Sequence, residues 1–186
     1  MSIKISDSRS FKLQPLKKNN WIFQFSAIPG NNNQSEALAF VAKTCNAPAI
    51  TFADTVINRM NEQYKFAGNP TWNDITCTFY DFIRNSNVGN DLSAGDILYN
   101  WASMIYNPLT GQMGYKTQYA TSATLAQTDP AGNIIRAWNM FGIYPSNVDW
   151  GQGLDYSSGD ACEISATFKY DLAIKVSDSH TASESA

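Results

Sequence analysis

Apolar and polar residues alternate without a break near the end of the chain. The apolar positions of this stretch are Cys162, Ile164, Ala166, Phe168, Tyr170, Leu172 and Ile174. The residues between them are mostly polar or charged, and a period of two with one apolar face predicts a half-buried β-strand. Its length would be roughly 40 Å, against a usual length of about five or six residues. So long a strand favours a tall barrel or a sheet that continues between subunits.

Other stretches alternate with the same period, and one excursion interrupts them. The further predicted strands are Trp21–Ile28, Leu38–Cys45, Trp72–Asp81, Tyr115–Gln127 and Ile134–Tyr144. The last two flank a turn that contains proline and glycine, which predicts a hairpin. Between Ile50 and Phe66 the chain is extended but only weakly apolar, and we expect a long hairpin or loop. An excursion that exceeds what joining two strands requires usually carries function or contacts.

The clearest helix signal follows these first strands. Ser93 can cap a helix, Asp96 stands at its third position, and apolar residues recur at helical spacing as far as Ile105. Trp101 lies on this apolar stripe, which predicts packing against a sheet. The whole pattern predicts a mainly β fold: an antiparallel β-barrel or sandwich with one flanking α-helix.

The predicted strand Ile134–Tyr144 carries apolar side chains on both faces. Trp138 falls on one face and Phe141 on the other. Such a strand is covered on both sides. If the domain's own core provides one cover, a neighbouring subunit can provide the other.

Composition and charge divide the chain into three parts. The 186 residues, of which 13% are aromatic and 16% charged, suffice for one β domain with a core that needs no disulfides. We expect a polar basic arm at 1–20, the β domain at 21–175 and a polar tail at 176–186. Without the arm, 8 basic and 15 acidic side chains remain, a net charge of −7. So acidic a body is a poor candidate for gripping nucleic acid through its phosphates.

Side chains suited to catalysis or metal binding are sparse. The single histidine, His180, lies in the predicted tail, so no Ser-His-Asp, Cys-His or zinc-ligand arrangement is available. Cys45, Cys77 and Cys162 are far apart in the sequence and contain no CxxC pair, and we interpret them as buried free thiols of a reducing cytoplasm. No phosphate-binding glycine motif is present. We therefore expect no catalytic site, no cofactor and no metal ion, and predict that the protein is not an enzyme.

The sequence also has no pattern that predicts contact with a membrane. It contains no run of about eighteen apolar residues and no apolar segment near Met1. We therefore expect neither a cleaved secretion signal nor insertion of this chain into a membrane.

Short motifs run through the chain in an order that has a parallel in a known family. They are Lys43 with Pro48, Asn58-Arg59, Tyr64-Lys65-Phe66-Ala67-Gly68, Thr71, Asp74-Ile75-Thr76-Cys77-Thr78-Phe79, Asp81, Trp101, Gly142-Ile143-Tyr144-Pro145-Ser146-Asn147-Val148 and Glu163-Ile164-Ser165-Ala166-Thr167-Phe168. From about Trp21 to Ala173 the chain resembles the tail tube proteins of contractile-tailed bacteriophages. Those proteins are related in fold to the tubes of type six secretion and other contractile injection systems.

This resemblance implies a structural virion protein of a phage tail, made in the cytoplasm of the bacterial host. Six copies would form a hexameric ring, and stacked rings would form a hollow conduit for DNA delivery during tail contraction. The implied partners are the protein itself, the tail sheath protein, and the baseplate and tail-terminator proteins. The tape-measure protein and DNA would occupy the lumen without specific binding.

The resemblance and the two-faced strand together predict contacts between subunits. The excursion from Asn58 to Phe66 would reach a neighbouring subunit or ring. The predicted interface residues are Asn58, Arg59, Asn61, Tyr64, Phe66, Trp138 and Phe141.

Alternatives to the main tube subunit stay open. The basic arm, an insertion at Ala27 to Glu36 and the Ser-rich tail depart from the shortest family members. They leave room for a tube-like protein of the baseplate or of the head-proximal tube end. A small-ligand or carbohydrate-binding β-barrel would instead be a monomer or dimer with an aromatic pocket using Trp138, Trp150 or Tyr156.

Overall fold

The computed structural model describes residues 16–30, 34–83, 93–151 and 155–176. Most of the predicted arm and tail lies outside these ranges. The strands are β1 (Trp21–Phe25), β2 (Ala42–Cys45), β3 (Ala49–Arg59), β4 (Glu62–Asn73), β5 (Ile75–Tyr80), β6 (Tyr106–Asn107), β7 (Gln112–Met113), β8 (Thr121–Thr128), β9 (Ile134–Asp149), β10 (Glu163–Lys169) and β11 (Leu172–Val176). The helices are α1 (Ser35–Phe40), α2 (Ala94–Ile105) and α3 (Lys116–Tyr119).

The main strands form a β-sandwich of two antiparallel sheets that share β9. In the first sheet the order is β1-β8-β9-β11, and in the second it is β9-β10-β5-β2. The N-terminal part of β9 pairs with β8 and β11, whereas its C-terminal part pairs with β10. Among the described residues the path of paired strands ends at β1 and at β2 and does not close. The predicted mainly β, antiparallel fold is therefore confirmed as a sandwich, not as a barrel.

A corner at Gly142 and Asp171 lets the chain pass from one sheet to the other. Gly142 has a φ of +69°, and a Cβ there would lie 2.2 Å from Oδ2 of Asp171. The amide of Asp171 donates to the Phe141 carbonyl at 2.9 Å. The Asp171 carboxylate in turn accepts hydrogen bonds from Nζ of Lys116 at 2.5 and 2.6 Å. Strands that change sheets need a bulge or bend of this kind.

The prediction of one unbroken strand from Cys162 to Ile174 is wrong, because the chain bends at this corner. Phe168 in β10 is fully buried, whereas Leu172 and Ile174 in β11 are 39% and 55% exposed. In β11 it is Ala173 that packs against the core. The alternation continues along the sequence, but β11 joins the first sheet, so the same positions now point outward.

The core lies between the two sheets and against helix α2. Oγ of Ser93 accepts a hydrogen bond from the amide of Asp96 at 3.1 Å, so the predicted cap is confirmed. Trp101 is fully buried. Its ring centroid lies 5.0 Å from that of Phe25, and its Nε1 donates to the Tyr119 carbonyl at 2.7 Å. The predicted flanking helix and its packing are therefore confirmed.

Two short helices replace the beginnings of predicted strands. Helix α1 precedes β2, where the alternation predicted a strand from Leu38, and helix α3 precedes β8, where it predicted one from Tyr115. In α1 only Leu38 is buried. A helix of one or two turns contains too few repeats for its period to stand out from an alternating pattern.

Candidate subunit interface

The excursion between the second and third predicted strands is a two-stranded hairpin of β3 and β4. Every residue of β3 is exposed, and in β4 only Gly68 and Trp72 are partly buried. The 11 residues of β3 span about 36 Å, and a lone two-stranded ribbon is marginally stable in water. The predicted long hairpin is confirmed, and the rest of the described chain leaves most of its surface exposed.

One face of the distal half of this hairpin is apolar. Ile57 stands opposite Tyr64, and Thr55 stands opposite Phe66. Directly opposed residues lie on the same face of a ribbon, and these two pairs are two residues apart. Ile57, Tyr64 and Phe66 are 54%, 46% and 54% exposed, and together they form what we call the distal apolar face.

The tip of the hairpin is polar except for one side chain. Arg59 and Glu62 are opposed, and the Tyr64 hydroxyl donates to Oε2 of Glu62 at 2.8 Å. Met60 has a φ of +53°, which is uncommon for a residue other than glycine, and its side chain is almost fully exposed. The predicted interface residues at this tip are Asn58, Arg59 and Asn61, and all three are exposed.

A bulge at Gly68 separates the distal half of the hairpin from its base. The register shifts between Phe52 and Asp54 of β3, opposite Gly68. A Cβ at Gly68 would lie 2.7 Å from the carbonyl oxygen of Ala53. Real Cβ atoms do not approach backbone so closely, and the position therefore requires glycine.

The outer face of the first sheet carries many apolar side chains. An apolar row crosses all four strands from Ile22 to Val176, and the apolar pair of Phe141 and Leu172 lies two rows away. The row between them is polar except for Ile174, and in it the Thr124 hydroxyl donates to Oδ1 of Asn139 at 3.0 Å. We call the apolar residues of these rows the first-sheet apolar face: Ile22, Ala126, Ala137, Phe141, Leu172, Ile174 and Val176. Its two alanines are buried, but its large members are each between 39% and 55% exposed, so the described residues leave much of this face uncovered.

The two predicted interface residues of β9 lie on opposite sides of the sheet, as their spacing predicted. Trp138 is partly buried against the core, with the guanidinium carbon of Arg136 5.6 Å from its ring centroid. Phe141 lies on the outer side and is 42% exposed. Both remain predictions as interface residues, and Phe141 is the one that the subunit exposes.

The outer face of the second sheet carries hydroxyl groups. Thr76 stands opposite Thr167, and Thr78 stands opposite Ser165. The hydroxyls of Thr76 and Thr167 are 3.4 Å apart. We call these four residues the hydroxyl face. Alongside it, Lys43 pairs with Glu163, whose hydrogen bond raises the pKa of Lys43.

Several exposed apolar residues were not predicted as part of an interface. Ile57 joins Tyr64 and Phe66 only through the hairpin register, which the turn at Met60 and Asn61 fixes. A hairpin drawn from that turn would have identified it. Leu172 and Ile174 were expected on the core side, because no sequence signal indicated the corner at Asp171.

We also searched the described residues for a metal site, a membrane-spanning helix and an aromatic ligand pocket. Within them, no group of three or more potential metal-ligating side chains comes together, and no helix is long and apolar enough to cross a membrane. The aromatic residues of the ligand-binding alternative have different surroundings. Trp138 faces the core, the ring of Trp150 packs on Tyr99 at 6.0 Å, and Tyr156 is fully exposed.

No protein-family model and no curated protein matches the chain. Its fold does match solved structures. The tube-terminating cap of the anti-feeding prophage aligns over 88% of this chain and 92% of its own, with 15% identity and a TM-score of 0.63. The sheath/tube terminator of PVC, an extracellular contractile injection system, aligns over 90% and 100%, with 17% identity and a TM-score of 0.62.

A chain of the extended PVC sheath-tube complex is similar as well. It aligns over 94% of this chain and 99% of its own, with 16% identity and a TM-score of 0.59. The protein therefore has the fold of tube and terminator components of contractile injection systems. The resemblance indicated by the sequence motifs is confirmed at the level of the fold.

Proposed function

We propose that the protein is a structural, non-enzymatic component of a contractile tail, where it assembles into hexameric rings that stack into a tube. One observation carries the proposal: a folded subunit leaves two different apolar surfaces uncovered, the distal apolar face and the first-sheet apolar face. A contact between two different surfaces is heterologous, and heterologous contacts close into rings or continue as filaments. The shared fold with tube and terminator proteins supports the same assembly.

In this proposal the hairpin of one subunit lies on a neighbour. Burial of Ile57, Tyr64 and Phe66 would contribute about 1.5–3 kcal/mol for each large side chain before the costs of association. A ribbon about 36 Å long can cross from one subunit or ring to the next. The predicted residues Asn58, Arg59 and Asn61 then lie at the far end of this contact.

The exposed edges of the first sheet favour its continuation between subunits. Within the described residues, β1 pairs with β8 alone and β11 pairs with β9 alone. Unprotected edges of this kind pair with strands of other chains. A first sheet that continues around the ring would remove both edges, and hairpins lying across its apolar face would cover it.

The hydroxyl face is our candidate for the wall of the channel. A conduit for DNA must let phosphates slide past, and hydroxyl groups carry no charge that would hold them. Lys43, at the side of this face, is already paired with Glu163. The acidic body adds a general repulsion of nucleic acid. Tape-measure protein and DNA would accordingly pass without specific binding.

A protein of the tube end is the second candidate. Of the three similar structures described above, one is a tube-terminating cap and one is a sheath/tube terminator. A terminator would form a ring and bind the last ring of a tube, but it would not continue the filament by itself. Sheath and baseplate proteins are the further partners that either role implies.

Electron microscopy of the purified protein over a range of concentrations, with its mass in solution, tests the proposal. A main tube subunit forms sixfold rings that stack into hollow filaments. A tube-end protein forms single rings at every concentration. A stable monomer or dimer at all concentrations would overturn the ring proposal and favour the ligand-binding alternative.

A further inference from the structure

We propose that Cys45 and Cys77 form a reversible intramolecular disulfide at the base of the hairpin when the protein meets a disulfide oxidant. Nothing in the assembly proposal requires this bond. It is carried by the placement of the two thiols in the second sheet, by their unequal exposure, and by the segment of chain that they enclose.

The two cysteines have the geometry of a cross-strand disulfide. Cys45 of β2 stands directly opposite Cys77 of β5, and their Sγ atoms are 2.6 Å apart. The next pair along is hydrogen-bonded, since the amide of Asn46 donates to the Thr76 carbonyl at 3.2 Å. Cys45 and Cys77 are therefore a non-hydrogen-bonded pair, for which the Cα separation is about 4.5 Å. Disulfides span Cα separations of about 4.4–6.8 Å, so the bond needs no movement of the strands.

Their exposure sets the order of reaction. Cys45 is partly exposed, whereas Cys77 is fully buried. The prediction that all three cysteines are buried is wrong for Cys162, which is exposed. Attack of the Cys45 thiolate on oxidised glutathione gives a mixed disulfide and releases one glutathione thiolate. Attack of the Cys77 sulfur on Sγ of Cys45 then closes the bond and releases the second. The protein loses two protons and two electrons, and these reduce the oxidant to two glutathione thiols.

The second step is expected to be the slower one. Burial raises the pKa of Cys77 well above its ordinary value, which lowers the fraction of reactive thiolate. The mixed disulfide on Cys45 is therefore a transient intermediate that early samples should contain.

The bond would enclose the whole hairpin. Residues 45 and 77 lie on either side of β3 and β4, and the two legs of the hairpin leave the second sheet beside them. The disulfide would also tie β2 to β5, the strand with which it pairs in the described part of the chain. Closing a loop of this length restricts the unfolded chain, and we expect the midpoint of thermal unfolding to rise by about 5–10 °C. We expect the thiols to stay reduced in a reducing compartment and to pair in an oxidising medium.

The test uses the full chain with Cys162→Ser, which removes the exposed third thiol. The folded protein is incubated with oxidised glutathione, then denatured, alkylated and weighed. We expect a mass lower by two hydrogen atoms, no alkylated cysteine, a linked pair of peptides containing Cys45 and Cys77, and a raised unfolding midpoint. Stable addition of one glutathione to Cys45, with Cys77 free, would overturn the proposal, as would no reaction at all.

Two variants in the same background separate the roles of the thiols. With Cys77→Ala we expect Cys45 to retain one glutathione, because nothing displaces it. With Cys45→Ser, a change at a partly exposed position, we expect Cys77 to stay reduced and the unfolding midpoint to be unaffected by the oxidant. Oxidation of the Cys45→Ser protein at the rate of its parent would contradict the assigned order of reaction.

Discussion

The two sheets of the sandwich resemble each other inside and differ outside. Met140 of the first sheet and Phe79 of the second are both fully buried. On the outer side, the first sheet presents Ile174 and Phe141 together with the polar Asn139, whereas the second presents Thr78 and its hydroxyl neighbours. A sheet with one face in water normally carries polar groups there, as the second sheet does. The large exposed apolar side chains of the first sheet are instead typical of a face that another surface covers.

We infer that the inner faces stabilise the subunit, whereas the apolar outer surfaces serve its assembly. The inner faces provide the buried apolar area that holds the subunit together. The first-sheet apolar face contributes less to that stability, because its large side chains stay half exposed, and their exposure favours association with other molecules. The hairpin repeats the division, because its base packs Trp72 beside Tyr170 while its distal apolar face has no cover. Changes inside should therefore unfold the subunit, and changes on the apolar outer surfaces should release folded subunits.

The largest effect is expected from Phe168→Ala. Its ring packs against those of Phe25 and Trp101 at centroid distances of 5.3 and 5.8 Å, and the variant should lose about 3–5 kcal/mol of unfolding free energy. Urea denaturation measures the loss. The matched variant Phe141→Ala removes the same side chain from the outer face and should cost less than about 1 kcal/mol. Equal losses would contradict the division between inner and outer faces.

The corner between the sheets should be next in sensitivity. Gly142→Ala places a methyl group against Asp171 at a positive φ, and we expect a loss of about 3 kcal/mol in the same denaturation assay. Gly132→Ala is the control, because Gly132 has a φ of +89° but open space around it. The control should lose only about 1–2 kcal/mol of unfolding free energy, which is the cost of the left-handed backbone conformation. A smaller loss at Gly142 than at Gly132 would contradict the claim that the close contact with Asp171 requires glycine at position 142.

A charge on the first-sheet apolar face should block assembly and spare the fold. We expect Ile174→Asp to raise the subunit concentration needed for assembly about 30- to 150-fold, as loss of about 2–3 kcal/mol at a contact would do. Its unfolding free energy should change by less than about 1 kcal/mol. Sedimentation velocity over a dilution series measures the first quantity. Asn147→Asp, which places an equal charge on the outer side of the second sheet, should assemble normally. If it does not, the claim that only the outer face of the first sheet is buried in the assembly is wrong.

The smallest effect concerns the exposed ion pair at the corner. The hydrogen bond from Lys116 to Asp171 raises the pKa of Lys116 above its ordinary value of 10.5. Its contribution is therefore complete below that value and is lost as the pH rises through the raised one. For so exposed a pair we expect about 0.2–1 kcal/mol. Thermal unfolding from about pH 8 to about pH 11.5 should bring the wild type and Lys116→Ala together at the alkaline end. A constant difference would contradict this assignment.

Local sequence signals predicted much of the fold. The period of β5 and β10 and the cap at Ser93 depend on neighbouring residues, and these predictions were correct. The bend at Asp171 was not predictable in this way. It depends on Gly142, which is distant in sequence, and on the pairing of β11 with β9. An alternating pattern does not indicate when a strand changes sheets.

The candidate interface was predictable only where it depends on neighbouring residues in the sequence. The length of the excursion indicated that it carries contacts, and Tyr64 and Phe66 were named from it. Their common face with Ile57 follows only from cross-strand register. The first-sheet apolar face draws residues from four strands, so neither its extent nor its exposure can be read from any single stretch.

A cryo-electron-microscopy reconstruction of the assembled protein identifies the surfaces that neighbouring subunits cover, and it therefore decides whether the two apolar faces form the contacts between subunits. We predict that Ile57, Phe66, Phe141 and Ile174 are buried between subunits while Thr78 and Thr167 remain in contact with solvent. An assembly whose subunits meet through the hydroxyl face, with the first-sheet apolar face left open, would contradict it.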